Sequence, residues 1–264
     1  LKSACADVSK VMYTLRLNGD RLPEDVLTSY SAVLRASATR TLGGAVGDDQ
    51  WSQATCATKA GGLGLRPAEE VALPAFVASR IGAWPAVREL FQRVEAEGLA
   101  PAGALEAVYS QRTEDAVRRF LASFAEADVR SSVETAVQEA AAAAEEWWTS
   151  LTSGQDAAAA DRSAGRPVGA ELVDDDAGID ESDLRPGALA LQKILCAFVD
   201  KQRLDALSDH FREQGHEEDA LRLNDLRDPH QDHSWISSLN PEVDVVLPES
   251  DWLVAMRIRL GCPL

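Results

Sequence analysis

Cysteine is scarce in this chain. The four cysteines, Cys5, Cys56, Cys196 and Cys262, lie far apart with no Cys-x-x-Cys pair among them. A disulfide framework is thereby excluded, and the four read as reduced, mostly buried thiols of an intracellular protein, nuclear or cytoplasmic. The sequence reads without a secretory leader, so none is expected, and no apolar run reaches the roughly 18 residues that a membrane-spanning helix needs. Strand signals are nearly missing too: only "EVDVVLP" alternates in that way, and no internal repeat is found. No cysteine or serine stands in a nucleophile elbow or a Cys–His arrangement, which removes the common routes to covalent catalysis.

Positive charge is also short. The formal net charge is −17, a balance that repels nucleic acid and anionic membranes and favours basic partners. The excess is uneven. Residues 1 to 66 hold 8 Lys/Arg against 6 Asp/Glu, a net of +2, whereas the rest hold 18 against 37, a net of −19. An anion-binding surface is therefore expected in the first quarter.

What is present is helical periodicity. In "ADVSKVMYTLRL" the residues Val8, Val11, Met12 and Leu15 form an amphipathic stripe. Asn18-Gly19 breaks it, and Pro23 with Glu24 and Asp25 opens a second helix that stops at Gly43-Gly44. A short helix follows from Asp48 or Asp49. After Pro67 the pattern predicts a helix damaged at Pro74 and broken at Pro85. The longest pattern starts near Thr113, read as its cap, and runs to the adjacent Trp147 and Trp148, which cannot both face one core; one of them is available to a partner or to the second subdomain. Residues 150–186 carry few large apolar groups and many acids, the composition of a disordered linker. Helices resume from Pro186 and end with "ESDWLVAMRIRL". The expected fold is mainly α: a helical thumb-like bundle (1–98), a long helical connector (99–149), a disordered acidic linker (150–186) and a smaller C-terminal helical subdomain (187–264).

The segment "TKAGGLGLRPAEE", Thr58 to Glu70, has the look of a phosphate cradle. Its spacing denies both known glycine-loop chemistries. A dinucleotide fingerprint needs G-x-G-x-x-G between strand and helix, and a P-loop needs its lysine after the glycines, whereas Lys59 precedes them. Gly61, Gly62 and Gly64 read instead as a tight structural turn, with Leu63 and Leu65 alternating toward a core.

"YSAVLRASATRTLGGAVGDDQWSQATCATKAGGLGLRPAEEVALPAFVASRIG" resembles the region just after the palm of non-LTR (LINE-like) retrotransposon reverse transcriptases. The matching positions are Leu42-Gly43-Gly44, Trp51, Gly61 to Arg66 and Phe76 to Ser79. At the other end, "WISSLN" and "DWLVAMRIRLGCPL" resemble the stretch that precedes the family's zinc-binding and endonuclease segments. The chain opens on Leu1 and closes without a terminating signal, so it reads as an excised piece of a larger polyprotein.

The resemblance implies a thumb and connector without an active centre. The parent polymerase would use Mg2+, but this piece is expected to hold no cofactor, no metal and no catalytic residue. "VDDD", Val173 to Asp176, mimics a polymerase aspartate pair but sits in the acidic linker. His230 and His233, with His210 and His216 near them in sequence, could share a metal only if helical, and Asp228-Pro229 marks a turn there. Lys10, Arg16, Arg35, Arg40, Lys59 and Arg66 are the expected contacts to a template–primer RNA/DNA duplex through the N-terminal region. Two functions stay open: support of template–primer binding, or a decayed or domesticated acidic module that takes a protein partner and binds no nucleic acid.

Overall fold

The computed structural model describes residues 11–153, 188–228 and 249–262, and every regular element among them is helical. Helix α1 covers residues 11–18. It is followed by α2 (Glu24–Thr41), α3 (Asp48–Ala54), a 3-10 turn (Thr58–Ala60), α4 (Ala68–Ala96), α5 (Ala104–Leu121) and α6 (Ala127–Thr152). Then come α7 (Ala188–Glu213), α8 (Glu217–Asp225) and α9 (Glu249–Arg259). None of the described helices is long and apolar enough to cross a membrane.

Helix α4 is the axis of the molecule, with α2, α5, α6 and α7 laid against it. Its apolar residues Phe76, Val77 and Ile81 meet Ala116 and Phe120 of α5, Val133 of α6, and Leu191 and Leu195 of α7 in one core. Side chains from both sides of the 150–186 segment thus share a single core. From residue 154 on, that segment and its "VDDD" lie outside the described residues, as do His230, His233, "WISSLN" and "EVDVVLP".

Two sequence expectations about helix boundaries change. Helix α4 runs unbroken through Pro74 and Pro85. A proline inside a helix removes one hydrogen bond and costs roughly 3 kcal/mol or more. Both prolines are buried, in a helix packed on several others, and that packing holds the helix through them. Thr113 is not a helix start. It lies in the middle of α5, and its hydroxyl donates to the Tyr109 carbonyl one turn back (2.9 Å). The long pattern is cut at residues 122–126, where the chain turns Phe124 inward (1% exposed) to meet Phe120 edge to face at 5.1 Å. Periodicity carries straight across that cut, because Phe124 continues the apolar stripe of Phe120.

Polar contacts fix the angles between helices. Ser31 of α2 accepts the Ala68 amide (3.0 Å) and donates to the Glu69 carboxylate, capping α4 from a neighbouring helix. Asp20, in the α1–α2 turn, receives Arg112 of α5 in bidentate fashion (2.6 and 2.5 Å).

A candidate functional site: the glycine segment and its arginine clamp

The glycine segment folds back onto the end of α3. Gly62 N–H donates to the Ala57 carbonyl (2.9 Å), Leu63 to Ala54 (3.0 Å), Gly64 to Cys56 (2.8 Å) and Leu65 to Ala54 (3.2 Å). Gly61 N–H donates to Thr58 (3.0 Å) and Arg66 N–H to Gly64 (2.9 Å). An anion cradle needs outward-facing amides; here each amide from Gly61 to Arg66 is taken internally. Gly61 and Gly64 hold φ of +91° and +69°, which L side chains adopt at a cost. Gly62 is required for another reason: a Cβ there would stand 2.0 Å from the Cys56 carbonyl oxygen.

The carbonyls of the same segment turn inward, and donors from remote helices meet them. Gln53, 1% exposed, donates through Nε2 to the carbonyls of Gly61 (2.8 Å) and Arg259 (2.9 Å), while its Oε1 accepts from Arg222 (3.1 Å). Arg259 of α9, 4% exposed, donates through Nε to the Gly62 carbonyl (3.2 Å) and through Nη2 to Thr58. Arg222 of α8 also caps the Arg259 carbonyl. Arg257 donates to the Leu42 carbonyl (3.1 Å). It lies over Gly44, where a Cβ would come within 2.5 Å of its Nη1. Beneath these bonds Leu42, Val46, Ala54, Met256 and Leu260 form a core with Leu63, Leu65, Trp51 and Trp252 against it.

A second group of charges lies on the α7 side. Arg66 pairs with Asp200 of α7, whose side chain is 4% exposed and whose Oδ2 also accepts the Ala57 amide (3.2 Å). Arg203, one turn on, donates to Thr55 Oγ1 and pairs with Glu70. Cys56 is enclosed between them. Burial, and then the Asp200 carboxylate, pushes its thiol up to about 12, so it stays neutral and unreactive at ordinary pH.

The six basic residues expected at a duplex are thus distributed unequally. Arg66 faces Asp200. Arg35 donates to the Val46 carbonyl (2.9 Å) and pairs with Asp48 (2.7 Å). Arg16 donates to Gln192 (3.1 Å). Arg40 and Lys59 are exposed, with no side-chain partner among the described residues. Lys10 lies outside the described residues. Residues that sequence reasoning did not single out do most of the binding together: Gln53, Asp200, Arg203, Arg222, Arg257 and Arg259. Only Arg257 and Arg259 carried a signal, as the "RIRLG" of the C-terminal resemblance.

An open groove of about 570 Å³ between α3 and α7 is lined by Asp48, Asp49, Gln202, Leu207 and His210 among others. His210 Nε2 lies 3.8 Å from Asp49 Oδ1. Among the described residues no group of three or more His, Cys, Asp or Glu is placed to hold a metal ion.

Two outcomes test this geometry. Gly62→Ala is expected to cost ~3 kcal/mol or more, because only backbone could move aside, whereas Gly64→Ala, strained in φ but facing open space, costs about 1–2 kcal/mol. Urea unfolding that found the two equal would contradict the packing described. The second outcome concerns pH. The folded thiol titrates near 12 against an ordinary 9.0, so the folded state favours the neutral form. The resulting stability is complete below pH 9 and disappears as pH rises toward 12. The stability gap between wild type and Cys56→Ala should therefore narrow over that range; a constant gap would contradict it.

Compared with protein families, curated proteins and solved structures, the chain shows no match to any of them.

Proposed function

We propose that this chain is a non-catalytic thumb-and-connector segment of a retrotransposon-type RNA-directed DNA polymerase, a helical support for the template–primer duplex. The observation that supports the reading is a convergence. The two stretches that carry the resemblance, Gly61 to Arg66 and the C-terminal "MRIRLG", stand about two hundred residues apart in sequence. Arg259 and Gln53 bind them into one buried joint. A joint of this kind gives rigidity, which an element that positions a duplex requires. Of the six residues expected at a duplex, Arg40, in the last turn of α2, and Lys59, beside the glycines, are the described ones that stand exposed and could meet phosphates.

A second reading has its own observation. Arg66, Arg203, Arg222, Arg257 and Arg259 all turn toward carboxylates or carbonyls of the chain itself. Basic charge is drawn inward while the total remains −17. That arrangement suits an acidic helical module for a protein partner.

Titration of a fluorescent RNA/DNA hybrid duplex with the full chain separates the two. On the first reading binding appears at low salt and weakens as salt rises, and Arg40→Glu with Lys59→Glu lowers the salt slope by roughly 2, about one unit per phosphate contact. Absence of binding even at the lowest salt overturns the duplex role and leaves the interaction module.

A further inference from the structure

Helix α6 ends differently from the other helices. Every other helix of nine or more described residues carries Arg or His in its last turn, where positive charge offsets the negative end of the helix dipole. Helix α6 has none. From Ser131 to Thr152 it holds no basic residue, while Glu134, Glu139, Glu145 and Glu146 fall on it. Hydroxyls fold back onto carbonyls of its last turns. Thr149 donates to Glu145 (2.8 Å), Ser150 to Trp147 (2.9 Å), Thr152 to Trp148 (3.0 Å) and Ser153 to Ser150 (3.1 Å). Hydroxyls bring no charge, so nothing in the last turn itself offsets the negative end of the dipole.

At that end stand two tryptophans. Trp147 is 47% exposed. The two rings lie 6.4 Å apart at 51°, tilted rather than stacked, so neither covers the face of the other. One turn back, Arg88 of α4 is engaged by both oxygens of Glu145 (2.9 and 2.7 Å). Glu146 is exposed and has no basic partner among the described residues.

We infer that the C-terminal end of α6 is a docking point for a cationic segment of a protein partner, whose Arg or Lys side chain lies over Trp147 beside Glu146. Three features of one spot favour the same occupant: a π face, an exposed carboxylate and a helix end without a basic residue in its last turn all attract a cation. An apolar partner would cover the tryptophan but leave the negative charge buried and unmatched, and a nucleic acid would be repelled by it. The inference rests on the interaction-module reading and names its site.

The test uses the full chain and an alanine-based helical peptide with arginine at every fourth position. Its glutamate-for-arginine counterpart serves as the control. The arginine peptide is expected to bind, to shift the indole N–H resonance of Trp147, and to lose affinity about tenfold in Trp147→Ala, as a desolvated cation–π contact would give. Glu146→Gln weakens it further, while Glu134→Gln with Glu139→Gln, on the same helix but away from the tryptophans, leaves it within twofold. About half of Trp147 is buried, so Trp147→Ala lowers the urea midpoint modestly, but it should keep the wild-type helical circular dichroism, which establishes that the loss is local. Binding that persists unchanged in Trp147→Ala overturns this site and leaves the acidic module intact. No binding of the arginine peptide at low salt overturns both.

Discussion

Backbone carbonyls turned into a protein interior need donors, and the segment from Thr58 to Gly62 turns three of them inward. A buried acceptor left without a partner costs about 1–3 kcal/mol, so the glycine turn cannot hold its shape alone. The donors come from elsewhere: Gln53 of α3 for Gly61, and Arg259 of α9 for Thr58 and Gly62. Arg222 then closes the arrangement by binding both Gln53 and the Arg259 carbonyl. The positions of α8 and α9 follow from this requirement, and with them the core under Leu42, Val46 and Met256.

The same logic explains why several arginines of this acidic chain turn inward. Arginine carries five donors in a fixed fork and keeps its charge when buried. It can therefore satisfy several carbonyls at once. Replacing Arg259 by lysine would supply a point charge with no fork to span Thr58 and Gly62. The buried Arg66–Asp200 pair and Arg203 with Glu70 tie α7 to the start of α4 in the same manner. An intact pair of this kind adds little net stability, while loss of one partner leaves a buried charge and costs several kcal/mol. Such contacts specify where α7 lies rather than how strongly it is held.

Much of this architecture was legible beforehand, because it rests on local rules. Pro23 with Glu24 and Asp25 marked the start of α2, and Gly43 its end, at φ +69°. The alternation of Leu63 and Leu65 pointed to a core, and both lie against Met256 and Leu260. Non-local facts were not legible. Nothing near Pro74 or Pro85 says that helices on several sides will keep α4 continuous. Phe124 continues the stripe of Phe120 in sequence even though the chain turns there. Arg66 reads as a surface cation until Asp200, 134 residues away, is seen to face it. In the glycine segment the residue types were conspicuous, but the amides could be assigned inward or outward only once Ala54, Cys56 and Ala57 were seen to accept them.

The clamp from the far end of the chain is tested most directly by native-state hydrogen exchange at the amides of Leu63 and Leu65, in wild type and in Arg259→Ala. If Arg259 holds the segment, its removal leaves the Gly62 carbonyl without a donor and the Thr58 carbonyl with the Gly61 amide alone, and the opening free energy of the Leu63 and Leu65 amides falls by about 1–3 kcal/mol. Amides in the middle of α5 keep their protection. Unchanged exchange at Leu63 and Leu65 in the variant would show that the glycine turn stands without the arginine, and would contradict the account.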